Sequence, residues 1–275
     1  MEIYDVSTVK PFINLLVYSE PGVGKTTLAA SAQAHPELRD VLVLNIEGGL
    51  ISVAGVKGLK AVDIKSVDHL EEVFWKITNK EKGFDRFKTV VIDSGSELQT
   101  QDLEMIATNA WNADQELPEQ KRKRKSRDDL WQEDYGTNTA KLKRLFRWYR
   151  DAPFNTVITA LSRENYARRV ARNQDTPPKL ESVTPAFTEK LGQAVMGYCD
   201  MVWYMYLDNE GNRKMLTRQE GVYRAKTRGH RFADGLGQVV DDPDLASIYD
   251  LLLSSEGFKN EKPKGDKPTT DKKEN

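Results

Sequence analysis

Residues 19–27, Ser19-Glu20-Pro21-Gly22-Val23-Gly24-Lys25-Thr26-Thr27, constrain this chain more than any other stretch. A loop that wraps a phosphate must turn tightly with its backbone N–H groups facing inward. It must then open into a helix, whose N-terminus carries partial positive charge. Gly22 and Gly24 permit such a turn, Lys25 supplies a cation for β- and γ-phosphates, and Thr26 supplies a hydroxyl suited to Mg²⁺. The pattern is G-x-x-x-x-G-K-[ST], with Ser19 in the first glycine's place. Its surroundings fit: residues 12–18 (FINLLVY) read as a buried strand before the loop, and residues 26–34 (TTLAASAQA) as a helix after it. The nine residues are expected to cradle ATP with Mg²⁺.

The rest of the chain alternates in the same way. Residues 41–46 (VLVLNI), 87–92 (FKTVVI), 155–161 (NTVITAL) and 201–207 (MVWYMYL) are short apolar runs. Leu70, Val73, Phe74 and Ile77 lie at helical spacing within 68–79. Runs that are apolar throughout, separated by helical segments, predict an α/β fold with a mainly parallel sheet buried on both faces. Residues 213–217 and 222–227 read as a C-terminal β-hairpin around Gln219-Glu220-Gly221. Two stretches break the rhythm, at 112–134 and 163–186, and are predicted to be long loops within one domain spanning 1–255. Residues 256–275 are polar and predicted to be a disordered tail.

A phosphate loop needs a carboxylate at the end of a neighbouring strand to hold the Mg²⁺ hydration shell. Asp93 closes the run Val90-Val91-Ile92-Asp93-Ser94 and is expected to act through water, although an Asp there could also cap the next helix. Glu47 ends the second strand at Asn45-Ile46-Glu47-Gly48-Gly49. It could orient or deprotonate an attacking water, or be an ordinary loop carboxylate.

Strand, phosphate loop, Glu47 after strand two and Asp93-Ser94 after strand three resemble the RecA-like ATPase core. More narrowly, residues 17–29 (VYSEPGVGKTTLA), with Tyr135-Gly136 and residues 224–228 (RAKTR), look like the phage-encoded P-loop ATPases of the Sak type. Those are single-strand annealing or recombination proteins with a minimal RecA core, and the resemblance covers about residues 10–253. It implies that Glu47 is the catalytic base. It implies also that Lys226 and Arg228 stabilise the γ-phosphate of a neighbouring subunit, so that the protein forms a ring or filament. A charged strand end in solvent is the plainer reading of that pair. The family places an amide or His after strand four as a γ-phosphate sensor. Here the run is Ile158-Thr159-Ala160-Leu161-Ser162, and only Ser162 or Thr159 can serve.

In RecA-like proteins the loops after strands three and four face nucleic acid, and the two irregular stretches occupy those places. Lys121-Arg122-Lys123-Arg124-Lys125-Ser126-Arg127 carries six positive residues in seven, and the second stretch holds Arg163, Tyr166, Arg168, Arg169 and Arg172. Lys and Arg neutralise phosphates, and an aromatic ring can stack on a base. A solvated charged surface is the competing reading, since Glu116, Glu119, Asp128 and Asp129 flank the first run. With 41 basic against 42 acidic residues, any such footprint must be local. The expected function is a DNA-stimulated ATPase acting on single-stranded DNA in phage recombination, with a single-strand-binding protein as a further partner. A nucleotide-dependent binding module with little turnover and a replication or packaging ATPase are the alternatives. One cysteine, no leader pattern and no apolar run of about 20 residues predict a cytoplasmic protein, the host cytoplasm if phage-encoded, without membrane contact.

Overall fold

The computed structural model describes residues 12–167 and 178–255. In chain order these form β1 (Asn14–Ser19), α1 (Lys25–Ser31), β2 (Val41–Asn45), β3 (Lys60–Asp63), α2 (Val67–Thr78), β4 (Thr89–Asp93), α3 (Gly95–Gln115) and α4 (Gln132–Asp151). There follow β5 (Asn155–Tyr166), β6 (Leu180–Pro185), α5 (Glu189–Tyr198), β7 (Met201–Leu207), β8 (Arg213–Leu216), β9 (Lys226–Thr227), α6 (His230–Leu236), β10 (Val239–Asp241) and α7 (Leu245–Ser255). The main sheet has the order β10-β8-β7-β1-β5-β4-β2-β3. From β7 to β3 every pairing is parallel, and β8 and β10 continue the sheet antiparallel.

The apolar runs are continuous because both faces are covered. Leu16, Tyr18, Leu44 and Ile92 pack with Leu70 and Phe74 of α2, Leu142 and Phe146 of α4, and Leu191 of α5. Leu15, Val17, Val43 and Val91 pack with Leu28 of α1, Phe232 of α6 and Ile248 of α7 on the other face. A strand that is apolar on both sides does not choose its register by hydrophobic pattern. Here the buried Asn155 chooses it. Its Oδ1 accepts from Ile13 N at 2.8 Å, and its Nδ2 donates to Lys88 O at 2.9 Å, so one amide pins the entries of β1 and β4 to that of β5. The three strands thus enter in fixed register, which sets Asp93 and Ser19 close together at the edge where the phosphate loop begins.

Three expectations change. The run 112–134 is shorter as a loop, because 112–115 end α3 and 132–134 begin α4. The stretch 163–186 is not one loop. β5 runs on past the sheet to Tyr166, and β6 returns antiparallel beside it, pairing Ser162 with Pro185 and Glu164 with Val183. Residues 213–217 and 222–227 do not pair as a hairpin. β8 hairpins with β7 instead, and β9 pairs with the first residues of β7, Met201 and Val202. The tight turn at 220–223 is present, with Tyr223 N donating to Glu220 O at 2.9 Å. The tail at 256–275 lies outside the described residues. Among the described residues no helix is long and apolar enough to cross a membrane.

Candidate functional site: the phosphate loop and its neighbours

β1 delivers the chain to the loop fully buried, and the loop turns where L side chains rarely follow. Gly22 and Gly24 have φ of 80° and 106°, and Gly24 is the N-cap of α1. The loop's cation is held from below. Lys25 Nζ donates to Ser19 Oγ at 3.1 Å, to Glu20 O at 3.2 Å and to Ser19 O at 3.5 Å, with the residue only 7 % exposed. The serine in the first glycine's place therefore adds a hydroxyl acceptor for the lysine. Burial lowers the Lys25 pKa, against the opposing pull of Glu47, Asp93 and Glu20.

β2 and β4 bring the carboxylates. Asp93 ends β4 buried, and its Oδ2 accepts from Thr26 Oγ1 at 2.8 Å. Its Oδ1 accepts from Thr159 Oγ1 on β5. Ser94 then caps α3 by accepting from Glu97 N at 3.3 Å. So Asp93 faces the loop, and the helix cap falls to its neighbour Ser94. Glu47 leaves β2 with its backbone N donating to Asp93 O at 3.2 Å. Its side chain is exposed and lines a cleft of about 300 Å³ with Pro21, Gly22, Gly24, Lys25, Thr26 and Gly49. Two hard oxygens, from Thr26 and Asp93, thus converge beside one ammonium. That donor set fits Mg²⁺, with no soft ligand in it.

β5 completes the site. Ser162 Oγ donates to Glu20 Oε1 of the loop. Leu161 N donates to Ser96 Oγ at 3.0 Å, which fastens the strand to the start of α3 where it leaves the sheet. Both residues that sequence singled out after strand four, Thr159 and Ser162, therefore touch the site, one through Asp93 and one through Glu20.

Other predicted residues lie elsewhere. Lys226 and Arg228 sit at the entry of β7, while the loop follows the exit of the parallel β1. Arg228 Nη1 donates to Asp200 Oδ1 at 2.8 Å and Nη2 to Gly197 O at 3.1 Å. Burial, then Arg228, lowers the Lys226 pKa. Neither side chain reaches the phosphate loop of its own chain. In the first basic run, Arg124 forks onto Asp134 with two 3.0 Å bonds and lies 4.7 Å from the Trp131 ring centroid. Arg122 donates to Gln115 O and Leu117 O at 3.0 and 3.1 Å. Both arginines therefore fold the segment they belong to, and Lys121, Lys123 and Lys125 are its exposed lysines. Arg163 and Tyr166 are exposed on the β5–β6 ribbon. Arg168, Arg169 and Arg172 lie outside the described residues.

One residue at the site gave no sequence signal. Arg213, the first residue of β8, lies against Gly24. It is far along the chain and carries no motif. Only the strand order brings it there.

No curated protein matches the chain. A family model described as an AAA domain, AAA_24, matches residues 12–229, which include the phosphate loop, Glu47, Asp93 and the whole parallel sheet. The chain belongs to that AAA family of P-loop ATPase domains.

Proposed function

We propose that the protein hydrolyses ATP in the cleft at residues 20–27 and couples hydrolysis to single-stranded DNA held on its basic projections, as a recombination or annealing ATPase resembling the Sak type. The observation that carries the nucleotide half is the convergence of Lys25, Thr26, Asp93 and Glu47 on one cleft. Glu47 takes a proton from the attacking water as its oxygen bonds the γ-phosphorus. The bond from that phosphorus to the β–γ bridging oxygen breaks, and ADP leaves. Lys25 follows charge onto that bridging oxygen. Thr26, and Asp93 through water, would hold Mg²⁺, which would supply positive charge against the phosphates.

Support for the DNA half is placement. The β5–β6 ribbon with Arg163 and Tyr166 continues the very strand that touches Asp93 and Glu20. Lys121, Lys123 and Lys125 follow α3, whose Gln101 Nε2 donates to Ile46 O at 3.4 Å, beside Glu47. Lys226 and Arg228 can meet a γ-phosphate only across an interface, so their proposed role requires a second copy. Arg228→Ala mixed with Lys25→Ala would then recover ATPase that neither has alone.

The deciding experiment is ATP turnover with and without single-stranded DNA, with Lys25→Ala in parallel. Turnover that rises with DNA and vanishes in Lys25→Ala is expected. ATP binding and turnover unchanged in Lys25→Ala would refute the site, and turnover indifferent to DNA would refute the coupling. A nucleotide-dependent binding module is the second reading, favoured by one observation: Ser162, where the resembling family has an amide or His, is held by Glu20. ATP-dependent DNA binding without turnover would establish it.

A further inference from the structure

A Cβ built on Gly24 would lie 3.3 Å from Arg213 Cδ, 3.4 Å from Arg213 Nη1 and 4.0 Å from Thr27 Cβ. The Arg213 side chain therefore rests on the loop where it turns into α1. Asp242 holds both the side chain and the backbone of Arg213. Its Nη2 donates to Asp242 Oδ1, and Asp242 N donates to Arg213 O at 2.9 Å. β10 ends just before Asp242 and pairs with β8, so the sheet edge itself sets the distance between the two residues.

Sheet order gives this cation a direction. Asp93 and Glu47 follow β4 and β2, on one side of β1, and Arg213 opens β8, on the other side. The carboxylates mark the end of the loop where the terminal phosphate is cleaved. A nucleotide laid along the loop with its γ-phosphate there extends its α-phosphate and nucleoside toward β8. Resting on the reading of this cleft as an ATP site, we infer that Arg213 binds the α-phosphate of the nucleotide, with Asp242 as its positioning residue. A guanidinium suits the task because it offers several donors in a fixed fork and can keep Nη2 on Asp242 while the others stay available. The α-phosphate does not change charge when the β–γ bond breaks. Arg213 accordingly acts equally on ground state and transition state, and belongs to binding rather than to the chemical step.

The test measures ADP and ATP affinity, and turnover at saturating ATP, for Arg213→Gln, Arg213→Lys and Asp242→Asn, with Lys25→Ala alongside. Arg213→Gln should weaken ADP and ATP alike, about tenfold as for the removal of one charge-assisted hydrogen bond, and leave saturated turnover unchanged. Arg213→Lys should recover part of the affinity through its charge, and Asp242→Asn should lose less than Arg213→Gln. ADP bound by Arg213→Gln as tightly as by the parent, while Lys25→Ala fails to bind ATP, overturns the inference and leaves the ATP site standing. ATP bound normally by Lys25→Ala overturns the ATP site itself. Slower saturated turnover with ADP affinity intact would move Arg213 to the γ-phosphate and also overturn the inference. Should Arg213→Gln not fold, parental ADP affinity in both Arg213→Lys and Asp242→Asn has the same force.

Discussion

The phosphate loop and the basic run at 121–127 look alike as sequence, since each is a short stretch whose residue types announce a polyanion. In the fold they behave oppositely. Around the loop, Lys25, Thr26, Asp93 and Glu47 are gathered at one cleft, because the loop is short and both its ends are anchored in buried elements, β1 and α1. In the basic run the charges are divided. Arg124 and Arg122 fold the segment through Asp134 and backbone carbonyls, and the lysines between them stay outside. Counting charge in sequence thus overstates what a ligand can meet wherever arginines alternate with acids. Spacing is a safer guide where the backbone has no freedom to do otherwise.

That contrast can be broken at its strongest point first. Glu47→Gln should retain ATP binding and lose turnover by a factor of about 10² to 10⁴, the contribution of a positioned base. Hydrolysis at the parental rate, measured by phosphate release, would show that the cleft gathers these residues without using Glu47. Next in size is Arg124→Ala. It leaves the nearly buried Asp134 carboxylate without its cation and with the Trp131 N–H as its remaining donor, which should cost about 2 kcal/mol, a fall of roughly 4–8 °C in Tm. Saturated ATP turnover should be unaffected. A drop in DNA binding without any change in Tm would restore Arg124 to the ligand and erase the distinction between the two regions. The smallest effect is that of replacing Lys121, Lys123 and Lys125 together by Ser. Tm and ATP affinity should hold, while the slope of log affinity for single-stranded DNA against log salt should fall by about 0.7 for each phosphate the variant no longer neutralises. An unchanged slope would assign those lysines to solvent alone.

Much of this molecule is legible in its sequence, for identifiable reasons. β1, β2, β4, β7 and the buried first half of β5 are largely apolar because both faces are covered, and that pattern survives any detail of packing. β3 is not legible: Lys60-Ala61-Val62-Asp63 lies at the sheet edge with three of its four side chains exposed, so no burial marks it. The ribbon of β5 and β6 hides for a related reason. Arg163-Glu164-Asn165-Tyr166 alternates only among polar and exposed residues, and it reads as loop until its partner is known. The hairpin assignment failed because Gly221 marks a real turn whose flanks bond elsewhere, and turn residues report bending, not pairing. At the site, Thr26, Asp93 and Glu47 follow from position at strand ends. Arg213 does not, because proximity across β8, β7 and β1 is a property of strand order, and strand order leaves no trace in a single chain. Cys199 is buried, and burial pushes its thiol up to about 12.

The unbroken run of β5 has a consequence for reach. Four residues beyond Ser162 the strand arrives at Tyr166, and at about 3.3 Å per residue that places its backbone roughly 13 Å along the strand from the residue that touches Glu20. A polynucleotide gripped there would lie two to three nucleotide lengths from the triphosphate, too far for the two ligands to touch or compete. Each could arrive and leave with the other in place. β6 braces the backbone between them from Ser162 onward, with one register shift at Asn165–Tyr166. A shift of the strand at the cleft would be carried outward through Ser162–Asn165, the regularly paired part of the ribbon. The tip is in this sense an indicator needle, whose length would set how far from the chemistry a bound strand could feel it.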